Sequence, residues 1–270
     1  MARLFWLFGI LLFCGCQGHS EKQSGATSEI EAIKTPNKVQ VQQLADGVWV
    51  HTTLYDIPGT GIVPSNGMAV RHGDTLILID TAWGEIATHS LVKQLEAKTG
   101  LPVTQVIITN YHHDRLAGVD WLEAQGARVF THPDTPQLSA ALGTPIPNTS
   151  VAALKLPGSR SALGPVEISF PGPTHSPDNL MVYIKDKKIL FAGRAVRSTK
   201  TQGLGNVKDA DLSKWGPSLA WVKRTYPGIK IVVPSHGQVG DNSLIDHTMA
   251  LIAQHVNAKS ENENESESAD

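Results

Sequence analysis

The chain has 270 residues, 41% of them apolar, with 23 Lys and Arg against 25 Asp and Glu and a formal net charge of −2. A balance this close to neutral excludes an electrostatic nucleic-acid partner. Only two cysteines occur, Cys14 and Cys16, so a domain downstream of them holds neither an internal disulfide nor a thiolate metal ligand.

Residues 1–16 read as an export signal. Arg3 supplies a thin positive start and Leu4–Phe13 an apolar core, too short for the ~20 residues that cross a membrane. Phe13-Cys14-Gly15-Cys16 resembles a bacterial lipobox with Cys16 as the lipid-accepting residue, and ordinary cleavage and release is the alternative. Either route leads to the periplasm, the first to an outer-membrane anchor as well. Residues 17–38, rich in Ser, Glu, Gln and Lys, are expected to form a flexible tether, and 260–270 an acidic disordered tail. Between them, residues 39–259 suffice for one domain with a proper core, expected to be a monomer.

Within that domain the pattern alternates. Strands are predicted at Val39–Leu44, Val48–Thr53, Gly67–Arg71 and Asp74–Asp80, then a helix over Gly84–Thr99 with Gly100 as its C-cap. Strand Val103–Thr109, helix Leu116–Gln125 and strand Ala127–Thr131 follow. The second half repeats the alternation: strands Val166–Phe170, Met181–Ile184 and Ile189–Phe191, helix Asp209–Thr225, strand Ile229–Val233 and helix Asn242–Ala258. Two strand-plus-helix halves predict an α/β fold, a four-layer αβ/βα sandwich with its site between the sheets.

Strand Val103–Thr109 breaks into Asn110-Tyr111-His112-His113-Asp114-Arg115. His-x-Asp on an extended backbone sets an imidazole and a carboxylate on one face, and both are zinc ligand types. Two further histidines occupy the same kind of place: His175 in a Pro/Gly-rich loop between strands, and His236 where Ile231-Val-Val-Pro-Ser exits into Gly237. Packing requires no such repetition, so the set points to a metal site. His113, adjacent to His112, should face the other way; His51, His132 and His247 lack a ligand-like context and read as structural.

Six segments stand in a telling order: Tyr55–Gly67, Leu78–Trp83, Thr109–Arg115, Gly172–Asn179, Gly205–Leu212 and Val233–Gly237. With them, from about Val39 to Ser260, the chain resembles a class B metallo-β-lactamase, nearest the two-zinc subclass and its Verona integron-encoded group. The resemblance implies zinc-dependent hydrolysis of the β-lactam amide in penicillins, cephalosporins and carbapenems. It assigns His112 and His175 to the family's three-histidine zinc site, and Asp114 and His236 to its second. It makes Asp114 and Asn206 catalytic groups, with Asn206 donating to the lactam carbonyl and Arg197 anchoring the substrate carboxylate. Trp83 lies at the base of a flap, Leu54–Gly61, over the substrate, while Asp80 and Arg115 support the ligand loop from behind.

Two positions depart from the family pattern. Asn110 stands where the first zinc histidine belongs, an amide oxygen being a weak neutral ligand; the one-zinc carbapenemase subclass also carries Asn-Tyr-His there. Arg194 replaces the second site's cysteine, and a guanidinium cannot ligate. Two outcomes stay open. One zinc is held by His112 and His175, with Asn110 or water completing the shell while Arg194 pairs with Asp114; or Arg194 turns to solvent and Asp114 and His236 keep a weak second zinc. Either way the expected hydrolysis is slow or narrow in substrate, and strongly dependent on added zinc. The competing expectations are a non-catalytic lipoprotein that binds an anionic ligand, and hydrolysis of a thioester or lactone.

Overall fold

The computed structural model describes residues 38–267, with side chains to residue 260. The export signal, the lipobox with Cys16 and the tether lie outside the described residues. The first sheet has six strands in sequential order: β1 (Val39–Ala45), β2 (Val48–Ile57), β3 (Gly61–His72), β4 (Thr75–Ile79), β5 (Val103–Ile107) and β6 (Arg128–Phe130). It is antiparallel from β1 to β4 and parallel from β4 to β6. The second runs β11-β10-β9-β8-β7, from β7 (Ser159–Leu163), β8 (Val166–Phe170), β9 (Met181–Ile184), β10 (Ile189–Gly193) and β11 (Ile231–Pro234).

Side-chain alternation makes the layers. Ile77 and Ile79 of β4 point into the core between the sheets, where they meet Val182, Phe191 and Val233. Their neighbours Leu76 and Leu78 point outward, against Leu91 and Leu95 of α1 (Glu85–Thr99). On the second sheet Leu190 and Val232 face out, under Trp215 and Leu219 of α5 (Leu212–Thr225) and Ile245 of α6 (Ser243–Glu267). Strands buried on both faces need apolar side chains in both directions, which is why β4 reads Leu-Ile-Leu-Ile without interruption. The sandwich is therefore αβ/βα in four layers, as expected.

Several boundaries differ from the sequence reading. The helix expected over Leu116–Gln125 is two pieces, α2 (His113–Leu116) and α3 (Val119–Ala124). Gly118 separates them because its backbone lies against Thr88 of α1, where a Cβ would collide with the Thr88 side chain. Strand β3 begins at Gly61, so the flap is the tip of the β2–β3 hairpin and not a free loop. Helix α5 begins at Leu212, not Asp209, because Asp211 caps it by accepting from the Ser213 and Lys214 amides. Helix α4 (Thr135–Leu142) and β7 are additional elements. At the C-terminus α6 runs past Ala258 to Glu267, taking in most of the stretch expected to be disordered; no Gly or Pro interrupts it there.

Candidate metal centre

The pairing of β4 with β5, Ile79 opposite Ile107, brings Asp80 and the 108–115 loop out at one edge. Asp80 leaves β4 in the left-handed region, φ 58°, which turns its buried carboxylate back under that loop. There it accepts from the Thr109 amide and hydroxyl, both at 2.8 Å, and from Arg115 Nη1 at 3.1 Å.

Arg115 is fully buried and uses all five of its donors. Nη1 donates to Asn66 O (2.6 Å) and to Asp80, Nη2 to the Ser65 hydroxyl and to Asp114 Oδ2 (2.7 Å), and Nε to the same Oδ2 (3.0 Å). One cation thus ties β3, the end of β4 and the ligand loop together. Asn66 extends the brace by donating through Nδ2 to Pro234 O and Gly237 O, which fixes the loop that carries His236.

Above this floor stand the candidate ligands. Asp114 Oδ1 accepts from Arg194 Nη1 at 2.6 Å, and His236 Nε2 lies 3.2 Å from Oδ2. Burial alone would raise the Asp114 carboxyl, but Arg115 and Arg194 hold it well below the usual carboxylate range. His236 Nδ1 faces Pro64 O at 2.7 Å, a donor's position. His112 and His175 meet edge to face, ring centroids 5.3 Å apart, and His175 rests on Trp215. Nε2 of His112 is bonded to Asp209 Oδ2 at 3.0 Å, whereas the Nδ1 atoms of both histidines have no partner. Burial, then the charges of Arg194, His112 and Arg197, push His175 down to about 2, so it is a neutral imidazole. Asn110, fully buried, accepts the His112 amide through Oδ1 and leaves Nδ2 unpartnered.

The remaining candidates line the rim. Arg197 lies against Gly205, where an added Cβ would stand 3.3 Å from its Nη2, and exposed Asn206 is next along the chain. Trp83 stacks on Tyr55 of the β2–β3 hairpin at 4.5 Å and 9°, and tilts toward His236 at 6.2 Å. His113 is exposed at the start of α2, while His51 and His247 face the carbonyls of Asp80 and Thr201. Ser65, Asn66 and Asp209 lie in the matching segments, but the sequence gives them no role. Asp209 had a signal, an acid three residues beyond Asn206, but it was absorbed into a helix start.

The donors do not amount to a zinc pair. Among the described residues, no three His, Cys, Asp or Glu side chains are grouped so that they could hold a metal ion. The first position offers two imidazoles and an amide, the second Asp114 and His236, and a catalytic zinc takes three protein ligands. The expected metal set of His112, Asp114, His175, His236 and Asn110 therefore lacks the donors for two zinc ions, for a physical reason. Arg194 already pairs with the negative charge that Asp114 would otherwise lend to a metal.

Two sheets face to face, helices outside and His/Asp loops at one rim define a scaffold for hydrolytic chemistry. The metallo-β-lactamase superfamily domain matches residues 60–236. The "metallo-beta-lactamase type 2" of Bacillus cereus is 35% identical over 237 residues, 86% of this chain and 90% of the relative. The Hirschia baltica metallo-β-lactamase structure has a TM-score of 0.77 at 31% identity, covering 81% of this chain and 98% of that one. The mono-zinc form of FIM-1 from Pseudomonas aeruginosa gives 0.77 at 30%, covering 82% and 96%. The chain belongs to the metallo-β-lactamase superfamily and is a hydrolase of that family, whose members in general use zinc.

Proposed function

We propose that this chain opens the amide ring of β-lactam antibiotics slowly, from a site that holds at most one zinc, and that it does so in the periplasm. The 2.6 Å contact between Arg194 and Asp114 carries the reading. It sets a fixed cation on the carboxylate that a second metal would need. Arg197 offers a guanidinium for the carboxylate beside the lactam nitrogen, a charge-assisted contact. Asn206, next to Gly205 on the same loop, offers an amide toward the lactam carbonyl. The β2–β3 hairpin, stiffened where Tyr55 stacks on Trp83, covers the bound ring. Arg194 donates where a second metal would stabilise charge on the departing nitrogen, a weaker device than a metal. Cys16 provides the route to a lipid anchor.

Metal analysis of the purified full-length chain, with a chromogenic cephalosporin assay, tests this reading. Turnover should be slow and should rise with added zinc. Arg194→Cys combined with Asn110→His should raise metal content and rate together. Full zinc occupancy without turnover of any penicillin, cephalosporin or carbapenem would defeat the proposal, as would a variant that gains metal and no rate.

A further inference from the structure

Arg197 stands on a loop that α6 grips with two adjacent side chains. The Arg197 amide donates to the Thr248 hydroxyl at 2.8 Å, and that hydroxyl donates in turn to Leu244 O at 2.7 Å within the helix. Thr248 is fully buried, and with its proton committed to Leu244 its oxygen is an acceptor of fixed direction. Further along the loop Thr201 O lies 2.9 Å from His247 Nε2, a donor's position. Between these two points the loop closes on itself, the Thr201 amide donating to Ser198 O at 2.9 Å.

The residues on either side of Arg197 are held as firmly. Ala195 and Val196 are buried in the layer beneath α5 and α6, with Leu244 and Ile245, and Trp215 Nε1 donates to Ala195 O at 2.8 Å. Ser198, also buried, accepts from the Gln238 amide at 3.2 Å. Gly237 lies so near that a Cβ there would stand 2.6 Å from Ser198 Cβ. The Arg197 backbone is thus set against α6 on one side and against the His236 loop on the other. A side chain that grips substrate is only as well placed as its backbone, and an error of about 1 Å can cost on the order of a hundredfold in rate.

We infer that Thr248, with His247 beside it, is a positioning residue for substrate: it aims Arg197 from behind the loop and touches no substrate itself. His247, whose sequence context marks it only as structural, is the second fastening of the same loop. The inference rests on the reading of Arg197 as the carboxylate anchor, and adds that α6 sets how tightly that anchor holds.

Benzylpenicillin and its methyl ester, which lacks the carboxylate charge, are the probes, used with the full-length chain. Where the ring opens, initial rates give KM and kcat; where it does not, the intact drug is a stable ligand and calorimetry gives Kd. Thr248→Val removes the acceptor and keeps the shape. It should raise KM or Kd for the acid about two- to tenfold, the scale of one neutral hydrogen bond, and leave kcat and the ester's value as in the parent. Thr248→Ser should restore the parent's value for the acid. His247→Leu acts from a half-buried position and should shift the acid in the same direction, which decides the matter if Thr248→Val does not fold. A parent that binds neither probe, or an Arg197→Gln variant as tight for the acid as the parent, would sink the anchor reading and this inference with it. An Arg197→Gln effect without one from Thr248→Val or His247→Leu, equal losses for acid and ester, or no rescue by Thr248→Ser would overturn this inference alone.

Discussion

Replacing Arg194 by alanine should have opposite effects with and without zinc. The guanidinium is 18% exposed and its partner Asp114 only 2%, so solvent screens their 2.6 Å contact weakly. A hydrogen bond between charged groups contributes about 1.5–3 kcal/mol. Asp114 would keep Arg115 Nε and Nη2 and His236, so the ~3–5 kcal/mol cost of an orphaned buried charge does not arise. Relief of repulsion with Arg197 returns part of the loss. A net destabilisation of about 1–2 kcal/mol follows, a fall in Tm of roughly 2–8 °C for a domain of this size. With zinc the sign reverses. The variant frees Asp114 and His236 as donors and removes a fixed cation, and a ligand at 100 times its Kd adds about 2.7 kcal/mol. Thermal melts in resin-treated buffer and in excess zinc should therefore cross, the variant lying below the parent in the first and above it in the second. Equal zinc stabilisation of both proteins would show that Arg194 does not close the second position. A variant as stable as its parent in stripped buffer would show that the Asp114 contact contributes nothing to stability.

Asp178 is buried beneath the His175 loop, and burial pushes it up to about 7 despite the hydroxyls of Thr135 and Ser176. The folded chain then keeps a proton that the unfolded chain releases, so this group's contribution to stability falls as pH rises from about 4 to about 7, by up to about 4 kcal/mol. Asp178→Asn should remove that decline, seen as a difference between denaturant midpoints from pH 5 to 8; parallel profiles would refute it. Arg115→Met would leave Asp80 and Asp114 without their shared cation, a loss of about 3–5 kcal/mol. Soluble protein with an unchanged Tm would contradict that role. Gly67→Ala would drive a Cβ into the His51 ring and to 2.6 Å from Ile79 O. We expect at least about 1–3 kcal/mol of destabilisation, measured by chemical unfolding, because strand β3 has no room to shift.

The strands that deliver the site were legible because burial on both faces forces unbroken apolar runs, as in Thr75–Ile79 and Ile231–Val233. Strand β7 was not: Ser159–Leu163 is an edge strand whose Arg160 and Ala162 are exposed, so it carries little apolar signal. Helix α4 hides for a similar reason, burying only Thr135 and Ser139 and leaving Leu142 exposed. At the site, His112, His175 and His236 could be read from their repeated place at strand exits. The brace beneath them could not, since Asn66 meets Pro234 across 168 residues and no local pattern marks such a pair. The consequence of Arg194 also needed coordinates, because a guanidinium so placed can turn outward or pair, and only its distance to Asp114 decides.

Arg115 braces the site from beneath through Asn66, Asp80 and Asp114. The residue that organises the floor is itself a permanent ion, covalently part of the chain, so the loops above it stay in place whatever the supply of metal. Side chains above that floor, Arg194 among them, can then be exchanged at a cost too small to unfold the molecule. A lineage built this way can abandon one chemistry and try another while its architecture survives each step.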